Sequence, residues 1–213
     1  MKDLVVIGAS GFGREVLDVI ESINRSSGSP RYFVRGVVDD NPSEINRDRL
    51  NARGYKWLGS LDEWLADDNQ DVYITGIGSP QIRKTIVERI SGHRQPVEPL
   101  IHPAATVGSL LTVGYGTVIC AGTIFTTNIT VGQHVIINIG STVGHDVVIG
   151  DYVTVNPLVA ISGAVTLEEE AFVGVQALVL EGRTVGKAGV VGAAACVVKD
   201  VAPGTIVKGI PAK

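Results

Sequence analysis

Asp146 is the first charged residue after Glu98, and it stands directly behind His145. An imidazole beside a carboxylate has a fixed tautomer and takes up a proton readily, which suits a general base working near neutral pH. The alternative is a solvated His-Asp pair on a turn. Asn138 lies in an otherwise apolar run and either positions a reactant or belongs to an internal asparagine ladder. A second constellation opens the chain. Gly8-Ala9-Ser10-Gly11-Phe12-Gly13 has the spacing GxxGxG, not the dinucleotide spacing GxGxxG. Either spacing can aim backbone N–H groups and a helix N-terminus at a phosphate, or simply make a tight turn. Asp39-Asp40 follow an apolar run, where they either meet a ligand or are solvated at a strand end. Cys120 and Cys196 make neither a disulfide framework nor a metal site, and read as reduced, partly buried thiols.

The elements that must position these residues change character near the middle. Residues 1–100 carry 28 of the 40 charged residues, and the remainder carry 12. Leu4-Val5-Val6-Ile7, ending at Gly8, reads as a buried parallel strand. Arg14 to Asn24 is a helix, with Val16, Leu17, Ile20 and Ile23 at helical spacing. Phe33 to Val38 is a second strand, and Val72 to Thr75, followed by Gly76-Ile77-Gly78, is a third. Ser60 to Ala66 is a short helix capped by Ser60, with Glu63 three residues on. Gln81 to Ile90 is a helix with Ile82, Ile86, Val87 and Ile90 on one face. This alternation predicts a small α/β, Rossmann-like domain over residues 1–99, with four strands expected.

From Ile101 the period becomes six. Stepping by six from Ile101 through Val107, Val113 and onward to Val197 meets 17 positions, and every one is apolar. Gly follows in eight of them: 108, 114, 132, 144, 150, 174, 186 and 192. Neither a helix nor a plain strand forces that repeat. A parallel β-helix does: each hexad supplies a short strand and a turn, and three hexads close a triangular coil. The periodic aliphatic residue points inward, and Gly allows the corner. At 18 residues per coil the 97 residues from Ile101 to Val197 make about five coils, within a β-helix domain over residues 100–213 that ends in a C-terminal cap beginning near Val198. In such a coil His134 falls at a corner. It lies 11 residues from His145, a multiple of neither six nor 18, so the two do not stack on one face and a shared metal is not expected. His93 lies in the loop between the halves, and His102 before Pro103 reads as structural.

The net charge of −4 argues against a nucleic-acid partner. With no apolar run of 18 residues and no signal-peptide pattern, the chain reads as soluble and cytoplasmic. Between Pro99 and His145, 47 residues pass without a charged side chain, which predicts burial on several sides, partly against further copies of the chain. An NAD-linked oxidoreductase is disfavoured by the glycine spacing and leaves the hexads unexplained.

The hexads resemble the left-handed β-helix acyltransferases. The whole chain resembles the subfamily of sialic acid O-acetyltransferases and nucleotide-4-amino-sugar N-acetyltransferases. The likeness is carried by Val6 to Gly13, Val38-Asp39-Asp40, Gly76-Ile77-Gly78, Leu100-Ile101-His102-Pro103, Gly144-His145-Asp146 and Gly209-Ile210-Pro211-Ala212-Lys213. The resemblance implies acetyl transfer from acetyl-CoA to a nucleotide-linked 4-amino sugar in surface-polysaccharide or glycan biosynthesis. O-acetylation of sialic acid or another sugar is the alternative within the family, and a non-catalytic β-helix scaffold is the alternative outside it. His145 matches the family's base and Asp146 its acidic neighbour; with such a base, Asn138 reads as positioning the acceptor or as an internal ladder residue. Ser10, Gly11, Phe12, Asp39, Asp40 and Gly78 match positions that hold the nucleotide sugar. Thr154, Gly163, Val175 and Ala193 match positions along the acetyl-CoA arm. Two residues depart from the pattern: Phe12 and Thr154 each stand where members carry His, and the Thr154 hydroxyl can still donate a hydrogen bond. The family is a homotrimer with sites shared between subunits.

Overall fold

The computed structural model describes all 213 residues, in two compact units, Met1–Leu100 and Ile101–Lys213. In the first unit, β1 (Lys2–Ile7), β2 (Tyr32–Val38) and β3 (Val72–Thr75) form a parallel sheet in the order β2-β1-β3. The expected fourth strand is absent: the segments around Trp57 and Pro96 make only isolated parallel bridges to Val37 and Tyr73. Helix α1 spans Gly11–Ser26, three residues earlier than its apolar spacing shows, because the first helical turn needs no buried side chain. Helix α2 (Glu44–Asn51) was not legible, since Leu50 is its one buried residue. Helix α3 (Leu61–Leu65) carries the expected capping box between Ser60 and Glu63. Helix α4 (Pro80–Ile90) departs from the expected face: Arg83, Val87 and Ile90 are buried, while Ile82 is 57% exposed. The Arg83 guanidinium donates from Nη1 to the Ile77 carbonyl at 2.7 Å, so burial of a charge here comes with hydrogen bonding.

The second unit is a left-handed parallel β-helix. Its three faces carry seven, six and five strands. Partners are 18 residues apart, as in Ile137↔Val155, Val143↔Ile161 and Ile149↔Leu167, except at the last rung, where Val191 pairs with Val207. Fourteen of the 17 hexad positions are buried; the exceptions, Ile101, Val107 and Val113, belong to the first coil, which has no coil above it. A second inward row lies two residues before the first, running through Thr117, Thr123, Ile129, Val135, Ser141, Val147, Val153, Val159, Val165, Ala171, Ala177 and Ala195. Where that row is polar, the hydroxyl bonds a carbonyl: Thr117 Oγ1 donates to Gly132 at 2.9 Å, and Ser141 Oγ to Asn156 at 3.0 Å.

The corners correct the expectation for glycine. The left-handed residue lies three positions after the inward aliphatic, and it is often not Gly: Asn128, His134, Asp146, Tyr152 and Leu158 all have φ between 53° and 62°. The Gly directly after the aliphatic serves close stacking instead. A Cβ on Gly144 would lie 2.7 Å from the Gly163 nitrogen, and one on Gly174 would lie 2.6 Å from the Ala193 nitrogen. The C-terminal segment, where a cap is expected, adds a further rung. Ile206–Val207 pairs with Val190–Val191, and the Ala212 N–H donates to the Cys196 carbonyl, so the chain continues the β-helix ladder.

Candidate active site

His145 and Asp146 occupy the corner after the second face, where Asp146 takes the left-handed turn conformation with φ of 62°. Asn and Asp tolerate that region better than most residues, because their short polar side chains bond locally. His145 Nδ1 lies 2.8 Å from Asp146 Oδ2. A carboxylate only accepts, so Nδ1 carries the proton and Nε2 presents its lone pair. Asn128, one coil earlier, donates from Nδ2 to Asp146 Oδ1. That bond, and then the one to His145, holds the Asp146 carboxyl below its ordinary pKa. One coil later, Gly163 lies against the imidazole: a Cβ there would come within 2.5 Å of both Cε1 and Nε2. The ring rests where only glycine leaves room, and both side chains are about half exposed, at 54% and 51%. The geometry leaves an oriented imidazole that can serve as a base.

The other solenoid residues expected at the site do not all join this corner. Gly163 does. Val175 and Ala193 lie on successive coils of the corner after the first face, where the Ala194 N–H donates to the Val175 carbonyl at 2.8 Å. Asn138 belongs to that same corner, and its Oδ1 accepts from the Ile139 N–H at 2.8 Å, so its side chain is engaged locally. Eighteen residues on, Asn156 Nδ2 donates to the Val173 carbonyl, so the two asparagines stack by register while each bonds backbone. Thr154 lies on the first face and is buried. One chain thus carries the His145 corner and, separately, a corner with Asn138, Val175 and Ala193.

In the first unit, a cavity of about 240 Å³ opens at the carboxyl ends of the strands, where ligands bind in open α/β sheets. Its lining includes Gly8, Ser10, Asp39, Asp40 and Ile77. Leu61, Ile82 and Ile86 complete its walls. The sequence assigned Ile82 and Ile86 to one helix face and did not single out Leu61, and only the fold shows that the three border a void. Asp39 and Asp40 are not merely solvated. Asp39 accepts from the Ala9 N–H at 2.8 Å and the Asn41 N–H at 3.0 Å; Asp40 accepts from the Leu61 N–H at 2.7 Å and pairs with Arg89. They fix the glycine loop and the start of α3.

The glycines of this turn divide by cause. Gly8 has φ of 110°, and a Cβ on Gly13 would strike the Gly8 carbonyl, so both are needed by the fold. Gly11 and Gly78 have ordinary φ and nothing within 4 Å of a built Cβ, so packing does not require glycine at either. Ser10 is the N-cap of α1 without a side-chain cap bond, whereas Ser43, Ser60 and Ser79 all cap their helices. The first N–H groups of α1 are therefore not served by that cap, and an anion can take them. Phe12 is half-buried in the first turn of α1 and does not line the cavity.

Residues 3–90 match the PglD N-terminal domain. PerB from Caulobacter crescentus, solved in complex with CoA and GDP-perosamine, superposes with a TM-score of 0.85 at 29% identity, covering 100% of this chain and 97% of that one. The acetyltransferase domain of PglB from Neisseria gonorrhoeae FA1090 gives 0.84 at 27% identity, covering 100% and 99%. The same domain with acetyl coenzyme A bound gives 0.81 at 26% identity, covering 100% and 98%. A 2,3,4,5-tetrahydropyridine-2,6-dicarboxylate N-acetyltransferase from Staphylococcus aureus is 47% identical over 49 residues, which are 23% of this chain and only 20% of that protein. The chain thus carries a PglD N-terminal domain over residues 3–90 and is similar along its full length to hexapeptide-repeat acetyltransferases such as PerB and the PglB domain.

Proposed function

We propose that the protein is an acetyl-CoA-dependent N-acetyltransferase acting on a nucleotide-linked amino sugar, with His145 as the general base. The observation that carries this reading is the His145–Asp146 pair, with Nε2 open and the ring seated on Gly163. Nε2 takes the proton as the amine nitrogen attacks the thioester carbonyl. The N–C bond forms, the C–S bond breaks, and the proton passes on to the departing thiolate. Backbone N–H groups stabilise the oxyanion. Asp146 stays ionised and holds the imidazolium formed on the way.

The nucleotide diphosphate binds at Ser10, Gly11 and the start of α1, with Phe12 toward the sugar and Asp39, Asp40 and Gly78 around the nucleoside. Acetyl-CoA runs along Gly163, Val175 and Ala193, and Asn138 positions the acceptor; Thr154, expected on the same arm, is buried within its own coil and is set apart from it. Because Val175 and Ala193 lie on a different corner from His145, a complete site is built from two copies of the chain in a homotrimer. The uncharged stretch supports this reading: Leu110, Tyr115, Ile124 and Ile139 are exposed on the single chain at 76%, 57%, 44% and 50%. Apolar exposure of that kind marks an interaction surface. GDP-perosamine in the PerB complex supports a nucleotide 4-amino sugar as acceptor and a place in glycan assembly. No helix is long and apolar enough to cross a membrane, and we place the enzyme in the cytoplasm. The test is thiol release from acetyl-CoA with GDP-, UDP- and dTDP-4-amino sugars; turnover with none of them, or only with sialic acid, contradicts the reading. Sedimentation of the purified chain as a monomer contradicts the trimer.

A further inference from the structure

We infer that Asn128 is a positioning residue for this reaction: reaching from the preceding coil, its amide holds the Asp146 carboxylate in the one orientation that keeps the His145 proton on Nδ1 and leaves Nε2 free. The inference rests on His145 being the base.

Asp146 is next to His145 in sequence and its carboxylate is about half exposed, so packing alone does not fix its orientation. A carboxylate held by a single hydrogen bond at such a site can rotate or trade its partner for water. Here both oxygens are committed in opposite directions, Oδ1 to Asn128 Nδ2 and Oδ2 to His145 Nδ1. The stacking makes this possible. Asn128 and Asp146 are 18 residues apart, occupy equivalent turn positions with φ of 59° and 62°, and so present their side chains from adjacent rungs. The corner is anchored beside them: the Asp146 N–H donates to the Thr127 carbonyl, and the Thr127 hydroxyl meets that of Ser109 at 2.7 Å. Hydrogen bonds to a charged acceptor are among the stronger ones, which suits Asn128 to this role.

Asn also favours the left-handed region, so its presence could serve the turn alone. Asn128→Gly separates the two roles, because Gly keeps that conformation without strain and removes only the amide. Asn128→Asp keeps the shape and puts an acceptor where the donor was. The readout is the ring ¹⁵N spectrum of His145, assigned by its loss in His145→Ala, together with kcat. The wild type shows the single Nδ1-protonated neutral tautomer. Asn128→Gly shows both tautomers and melts within about 2 °C of wild type. Its kcat falls about tenfold, with KM for acetyl-CoA little changed, and Asn128→Asp falls at least as far. An unchanged tautomer in Asn128→Gly with wild-type kcat would overturn the positioning role and leave the base assignment standing. Full activity in His145→Ala would overturn the base assignment, and the positioning role with it.

Discussion

Substituting Gly163 by Ala tests the seat of the imidazole. Gly163 has an ordinary φ, so Ala costs nothing in backbone conformation. Its methyl group, however, would lie 2.5 Å from Cε1 and Nε2 of His145, where ordinary contact begins at 3.4 Å. The ring edge must retreat by about 0.9 Å. His145 is 54% exposed and can swing outward, so the relief comes from the side chain, not from the coil. Stability should therefore change by no more than about 0.5 kcal/mol. Catalysis is less tolerant. A displacement on the order of 1 Å at a reacting atom costs about 100-fold, equivalent to about 2.7 kcal/mol of barrier. Steady-state thiol release and a melting curve on Gly163→Ala measure both quantities. A folded variant with wild-type kcat would refute the argument from ring position. A rise in KM for acetyl-CoA at unchanged kcat would show that Gly163 borders the cofactor arm and nothing more.

Gly174→Ala is the structural counterpart: its Cβ would meet only backbone of the next coil, at 2.6 to 2.9 Å, so the chain itself must shift. A loss of about 1–3 kcal/mol is expected in denaturant titration. Gly11→Ala places a methyl group in open space at the start of α1, so stability should hold or rise by about 0.4–1 kcal/mol. The KM for the nucleotide sugar should rise while that for acetyl-CoA does not; unchanged acceptor binding would remove Gly11 from the phosphate site. The Asp146 carboxyl is pulled below its ordinary value of 3.8, first by the Asn128 bond and then by His145, so it stays ionised down to about pH 4 and adds no ionisation of its own above that. The acid limb of kcat/KM should therefore follow a single ionisation above about pH 4, and a second ionisation there would contradict the Asn128–Asp146 bond.

The hexad frame was legible because one aliphatic in six has no competing explanation. The second inward row was not, because Thr117, Thr123 and Ser141 interrupt it with hydroxyls and Ala171, Ala177 and Ala195 are too small to mark a core position, so its Val and Ile residues do not read as a continuous frame. Their burial follows only once the coil closes. His145 and Asp146 announced themselves by adjacency in a long uncharged stretch. Asn128 did not, since its relation to Asp146 is a single coil length, and many residues stand 18 apart without touching. In the α/β unit, apolar spacing put Ile82 with the core and ignored Arg83, and the structure reverses them. Ile82 borders the cavity, while Arg83 is buried because nearby carbonyls accept from its guanidinium. Asp39 and Asp40 were visible as an acidic pair, but their engagement with the Ala9 and Leu61 N–H groups depends on where two loops meet.

The central claim is tested most directly by thiol release from acetyl-CoA, measured with a panel of nucleotide 4-amino sugars for the wild type beside His145→Ala. Turnover is expected with at least one such sugar, reduced by about 100-fold or more in the variant. Equal turnover in the two proteins would contradict it.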